Sequence, residues 1–284
     1  MTLTRLPAIT QKQVTSFLSP RPRDSHKGQL GTVAIMGGNN GMIGAALLAG
    51  RAALKLGAGC VQLGLLADNA PAVDMQQPEL MLLPAPLTLQ LPKLDVIVLG
   101  CGMGKNQFAQ KILHDALKLD VTLVLDADAL NILASRPDLR SLLRARKATS
   151  VITPHPGEAA RLLGISVAEV QSARPERALQ LAQLMNCSVV LKGADSLCVM
   201  ADGKIWLNKT GNPGMSGPGM GDVLSGMLAA FIAQGLSTDQ ALLLAVHLHG
   251  AAGDALAQQQ ASIGMSASEI TEWARWLLNQ WLKH

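Results

Sequence analysis

From Thr32 to Leu207 the chain alternates short aliphatic runs with longer stretches of helical periodicity. The short runs are apolar throughout, the pattern of strands buried on both faces. Such strands, separated by helices, assemble into a mainly parallel sheet. The pattern predicts strands at Thr32–Met36, Cys60–Leu65, Asp95–Leu99, Thr122–Leu125, Ser150–Ile152, Val189–Lys192, Leu197–Met200 and Lys204–Leu207. Helices are expected at Ile43–Leu56, Gln107–Leu119, Gly157–Leu163 and Pro175–Met185. The last two strand runs, split by Ala201-Asp202-Gly203, read as an antiparallel hairpin. Three further helices are expected to close the chain, at Val223–Ala233, Thr238–Gln258 and Ala267–Leu282. No linker or composition shift divides the 284 residues, so residues 1–284 are expected to form one α/β domain with helices on both sheet faces.

Composition narrows the partners. With 49% apolar and 15% charged residues the chain is not disordered, and a net charge of +4 is mild. Its densest basic cluster, Arg140, Arg144, Arg146 and Lys147, reads as a solvated helix end, not a nucleic-acid surface. Small anionic molecules are the expected ligands. No signal-peptide pattern opens the sequence and no apolar run approaches a membrane span. Cys60, Cys101, Cys187 and Cys198 form no CxxC pair and lie in apolar, strand-like segments, which points to buried thiols in a reducing, cytoplasmic compartment.

In open α/β sheets ligands bind beyond the carboxyl ends of the strands. Here those ends carry the unusual residues: Gly37-Gly38-Asn39-Asn40-Gly41, Gly100-Cys101-Gly102-Met103-Gly104, Asp126-Ala127-Asp128, Thr153-Pro154-His155-Pro156-Gly157-Glu158 and Lys192-Gly193-Ala194-Asp195-Ser196. Any one could be an ordinary turn; five on one edge mark a site. The glycine- and proline-rich stretch Gly211–Asp222 then runs into an apolar helix. A glycine turn at a helix start aims unpaired N–H groups and the positive end of the helix dipole at one spot, which suits phosphate. Asp222 could cap that helix or take a proton from a hydroxyl.

Read in order, GGN…GAA, GCGMG, LDADALN, TPHPGE, LKGADS, GNPGM…GMGDVLSG and LHGAAGD resemble the ADP-dependent NAD(P)H-hydrate dehydratases, from about Gly31 to Asp254. The resemblance implies a ribokinase-like fold and a hydro-lyase that uses ADP, with Mg2+, to restore NADH and NADPH from their 6-hydroxylated hydrates, leaving AMP and phosphate. It is to the stand-alone form, since no epimerase-like segment precedes it. Carried over by position, Asp222 would be the catalytic base. Ala45, Gly104, His155 and Asp222 would contact the hydrated dinucleotide. Lys192, Gly193, Ala194, Asp195 and Ser196, with Gly219, Met220 and Gly221, would hold ADP or AMP, the last three through backbone N–H groups. Glu158 would organise magnesium through water, or serve only as a first-turn carboxylate complementing the helix dipole.

Some features stay open. Asp126 and Asp128 read either as paired carboxylates or with one capping the next helix, and His247 and His249 lack the neighbours of a zinc site. The run Ser216-Gly217-Pro218 departs from the family, because Pro218 has no N–H to offer a phosphate. Met42-Ile43 and Cys101 also stand where the family usually has other residues. An ATP-dependent small-molecule kinase of the same superfamily is the competing reading. Trp273, Trp276, Leu277 and Trp281 recur at helical spacing, which predicts either core or the interface of a homo-oligomer, a tetramer in similar enzymes.

Overall fold

The computed structural model describes residues 6–260 and 262–283. Nine strands form one sheet: β1 Thr32–Gly37, β2 Cys60–Leu65, β3 Met81–Pro84, β4 Val96–Leu99, β5 Thr122–Leu125, β6 Ser150–Ile152, β7 Ser188–Leu191, β8 Ser196–Val199 and β9 Ile205–Asn208. Their order is β3-β2-β1-β4-β5-β6-β7-β8-β9. Strands β3 to β7 pair in parallel, and β8 and β9 add antiparallel as the expected hairpin. The outer edge of β9 is covered by the N-terminal segment, where Ile9 N donates to Leu207 O and Leu207 N donates to Pro7 O, both at 2.9 Å. Covering an edge blocks pairing with another chain.

The pleat sends alternate side chains into two cores. Val33, Ile35, Val61, Leu63, Val96 and Val98 face the helices Ile43–Lys55, Met220–Ala233, Thr238–Gln259 and Ala267–Trp281. Ala34, Met36, Ile97, Leu99, Leu123 and Leu125 face Gln107–Leu117, Ala127–Ser135 and Arg174–Met185 on the other side. One contact matters for the site. Gly226 lies against helix Ile43–Lys55 so closely that a Cβ there would stand 2.1 Å from Ala49 O. Helix Met220–Ala233 is thereby drawn onto the sheet, with its first turn beside the loop after β1.

The structure corrects several expectations. Strand β3 was missed because it is a half-exposed edge strand ending in Pro84, whose missing N–H an edge tolerates. Short helices Gln11–Thr15, Ala85–Leu89 and Val167–Ser172 were also missed, and Ala127–Ser135 and Pro137–Ala145 were anticipated only through a cap and a helix end, without bounds. Arg146 is no solvated helix end: its guanidinium donates to the carbonyls of Leu117 at 2.7 Å and Leu119 at 2.8 Å, closing another helix's C-terminus. Of the cysteines, Cys60 is only half-buried, and Cys101 and Cys187 sit just outside strands. On the last helix, Trp273, Leu277 and Trp281 pack against the core, while Trp276 points outward, 51% exposed and edge-on to Trp273.

Candidate active site

The chain leaves β1 in one direction, to β2 and β3, and later returns to lay β4 on β1's other side, so strand order reverses between β1 and β4. Ligand crevices open at such switch points. The two loops there are fastened together: Gly38 N donates to Cys101 O at 2.9 Å, Asn39 N to Gly102 O at 2.7 Å, and Asn39 Nδ2 to Met103 O at 3.1 Å. A side chain at Gly37 would stand 2.1 Å from Cys101 O, so this approach requires glycine. Ala45 faces this crossing, since a Cβ on Gly102 would lie 3.0 Å from its own. Gly104 N donates to Asp128 Oδ2 at 2.8 Å.

Asp126 and Asp128 lie in a helix start, not on a strand face. Asp126 caps Ala127–Ser135, its Oδ1 accepting from Ala127 N at 2.8 Å and from Lys192 Nζ at 2.6 Å, while Oδ2 accepts from Ser225 Oγ at 3.0 Å. Asp126 is 1% exposed. Burial alone would lower the Lys192 pKa, but Asp126, Glu158 and Asp222 outweigh it and hold the ammonium charged. Glu158 completes a capping box: His155 N donates to its Oε2 at 2.8 Å. His155 Nδ1 accepts from Gly157 N at 2.9 Å, so the ring is neutral with its proton on Nε2, 3.3 Å from Glu158 Oε1. Burial, then Lys192 and Arg161, push the His155 pKa down; burial pushes that of Glu158 up.

Asp222 sits in the first turn of Met220–Ala233, three residues after Gly219, which takes the capping position at φ +83°. The helix therefore starts earlier than Val223, and Asp222 is not its cap. The Cys101 thiol lies beside the Asp222 carboxylate. Burial pushes the Asp222 pKa up to about 7; the Cys101 thiol and Lys192 oppose the rise, and Asp126 and Asp128 reinforce it. A half-buried carboxylate that titrates near neutrality can accept a proton in turnover.

Beside it opens a cavity of about 620 Å³, lined by Lys192, Gly193, Ala194, Asp195, Ser196, Met220 and Gly221 among others. Seven of the eight residues expected to hold the nucleotide thus share one cavity. Gly219 does not line it; a Cβ there would stand 2.5 Å from Leu48 Cδ1. Ala45, Gly104, His155 and Asp222 also lie outside that cavity, Ala45 and Gly104 at the switch-point loops. A larger groove, about 1210 Å³, lies at the other end of the sheet near Phe17, Leu18, Arg21 and Leu278, far from these carboxylates.

Sequence reasoning missed several parts. Asp254 braces the Gly-rich loop, accepting from Gly211 N at 2.9 Å and Asn212 Nδ2 at 3.0 Å; its place in LHGAAGD was the available signal. Ser216 Oγ donates to Pro213 O at 2.8 Å, so that hydroxyl holds its own turn. Thr210 and His249 line the cavity, and burial lowers the His249 pKa to about 4, leaving it neutral.

A family model described as NAD(P)H-hydrate dehydratase matches residues 33–275. The chain belongs to the NAD(P)H-hydrate dehydratase family. It is 41% identical to the ADP-dependent (S)-NAD(P)H-hydrate dehydratase of Neisseria meningitidis serogroup B, over 92% of this chain and 89% of that protein. It is 40% identical to the bifunctional NAD(P)H-hydrate repair enzyme Nnr of Escherichia coli K12, covering 94% of this chain but 51% of that longer one. A solved ADP/ATP-dependent NAD(P)H-hydrate dehydratase from Bacillus subtilis, co-crystallized with ATP/Mg2+, superposes with a TM-score of 0.88 at 30% identity, covering 98% of this chain and 99% of that one. The architecture of this dehydratase-family chain is ribokinase-like.

Proposed function

We propose that this chain is an ADP-dependent NAD(P)H-hydrate dehydratase, removing water from 6-hydroxylated NADH and NADPH. The carrying observation is the position of Asp222: one residue beyond Gly221 on the cavity wall, and beside Cys101 of the switch-point loop. One base thus stands between a nucleotide-sized cavity and the switch-point loops. In this reading Lys192, Gly193, Ala194, Asp195 and Ser196 hold ADP, with Met220 and Gly221. Ala45, Gly104 and His155 contact the hydrate, and Gly219 sets the helix start.

Asp222 takes the proton of the C6 hydroxyl, whose oxygen attacks the β-phosphorus of ADP. The bond from that phosphorus to the bridging oxygen breaks and AMP leaves. First-turn N–H groups stabilise the phosphoryl charge. The C6–O bond then breaks, a proton leaves C5, and the ring double bond returns with release of phosphate.

A magnesium ion fits only as a companion of the nucleotide. Among the described residues no three metal-binding side chains converge, and both Glu158 oxygens already face His155. Glu158 would reach the ion through water, and the bound ion would offset phosphate charge.

The chain acts here as one domain, since one nine-stranded sheet carries both the cavity and the switch-point loops. We place the enzyme in the cytoplasm, on its four free thiols, and as a homotetramer. Among the described residues no helix is long and apolar enough to cross a membrane. The deciding assay follows recovery of reduced-nicotinamide absorbance from hydrated NADH with ADP and with ATP. Recovery with ADP supports the dehydratase, whereas nucleotide consumption without recovery supports the kinase.

A further inference from the structure

Arg174 opens helix Arg174–Met185 and is 8% exposed, yet among the described residues no carboxylate forms an ion pair with it. Its guanidinium turns to backbone instead. Nη2 donates to Leu191 O and Asp195 O, both at 3.3 Å, and Nη1 donates to Lys192 O at 3.5 Å and Gln171 Oε1 at 3.1 Å. Ser196 Oγ engages Gly193 O at 2.9 Å. The loop between β7 and β8 therefore has the carbonyls of Lys192, Gly193 and Asp195 engaged from within.

Two of its residues have left-handed backbone, Gly193 at φ +136° and Asp195 at φ +56°. A non-glycine residue keeps such a conformation only where its surroundings enforce it. Among the described residues the N–H groups of Gly193, Ala194 and Asp195 find no acceptor, and all three residues line the cavity. Successive free N–H groups on a turned backbone form an anion-binding concavity, and here a buried guanidinium, with the Asp195 charge bearing on it, is bonded to the same loop.

We infer that Arg174 is the positioning residue of the nucleotide pocket, holding the Gly193–Asp195 N–H groups free for an anionic oxygen of a nucleoside diphosphate. The inference rests on the reading that this cavity takes ADP. A structural prop would act on stability alone; a positioning residue acts on ADP and not on the dinucleotide. Lysine keeps the charge but lacks the fork that spans two carbonyls.

The test is calorimetric titration of ADP into the full chain, with KM for ADP and for hydrated NADH, in wild type, Arg174→Met and Arg174→Lys. Loss of a charged hydrogen-bond set predicts ADP binding weakened about tenfold or more in both variants, with KM for hydrated NADH unchanged. Unchanged ADP affinity, full rescue by lysine, or an equal rise in both KM values would overturn it. Gly193→Ala disturbs the same contact from the loop side, its Cβ falling 3.0 Å from Arg174 Nη1, and serves where the arginine variants do not fold. It too is expected to weaken ADP selectively, and wild-type affinity would count against the inference. A wild type that binds ADP without dehydrating the hydrate would defeat the functional reading while leaving these titrations decisive.

Discussion

Lys192 Nζ stands 2.6 Å from Asp126 Oδ1, joining the ends of β7 and β5 across 66 residues of sequence. The pair closes the floor of the site: a Cβ on Gly221 would meet the lysine nitrogen at 3.1 Å and Asp126 Oδ2 at 3.3 Å. Glu158 and Asp222 bear on the same ammonium, so one lysine balances several carboxylates.

Removing one partner of a buried pair strands the other. Lys192→Met is expected to destabilise the fold by about 3–5 kcal/mol in denaturant titrations at pH 7. The double variant with Asp126→Asn should recover much of that loss. The lysine pKa is raised in the fold, so this contribution is present below the unfolded value near 10.5 and disappears only as pH rises through the folded value. A single variant as stable as wild type would show the pair to be neutral.

Asp222 titrates near pH 7 in the fold, well above the ordinary aspartate value of 3.8. As the base it must be deprotonated, so kcat/KM should fall as pH drops through about 7. Stability runs the other way. Between about pH 4 and 7 the folded state binds the proton more tightly, so this residue's destabilisation grows as pH rises through that window. Asp222→Asn should lose about 10²–10⁴-fold in rate yet gain about 1–4 kcal/mol of unliganded stability at pH 8. Calorimetric melting at pH 5 and 8 checks the sign: a gain that does not grow with pH contradicts the buried-charge account.

The two glycines flanking Met220 should respond differently. Gly219→Ala forces a left-handed residue to carry a Cβ 2.5 Å from Leu48, and is expected to unfold the protein at lower temperature. Gly221→Ala keeps ordinary helical dihedrals but crowds the Lys192–Asp126 pair, so its main effect should be weaker ADP binding. Titration calorimetry beside thermal melts separates the two, and equal melting points would remove the strain argument for Gly219.

Much of this was legible because apolar runs are local. Val33–Met36, Ile97–Leu99 and Leu123–Leu125 read as strands from their own composition, and the loops after them carried the site residues. What escaped was non-local or marginal. Arg146 and Arg174 are defined by the carbonyls they reach across the fold, which leave no trace at arginine itself. Edge strand β3 is a short apolar run, Met81-Leu82-Leu83-Pro84, whose closing proline argues against a strand unless the run lies on an edge. The ring of His155 is anchored by Gly157 N as a helix cap, a role not expected from the sequence. The start of helix Met220–Ala233 was misplaced because glycine is a poor helix former, while the fold holds its capping Gly219 tight against Leu48.

Cys101 offers the finest control over the base. Its side chain is fully buried, and burial, followed by Asp222 and Asp126, pushes its pKa well above the ordinary thiol range. It therefore remains protonated at neutral pH beside the Asp222 carboxylate, where its S–H favours the ionised base. Cys101→Ala removes the donor without adding bulk, so the acid limb of kcat/KM should move to higher pH while the alkaline plateau holds. Cys101→Ser supplies a stronger donor of similar size and should return the limb to the wild-type position or below. The pH profiles of the three proteins, measured with saturating ADP, decide the matter. Superimposable limbs would mean that burial alone sets the titration of Asp222 and that the thiol is only packing.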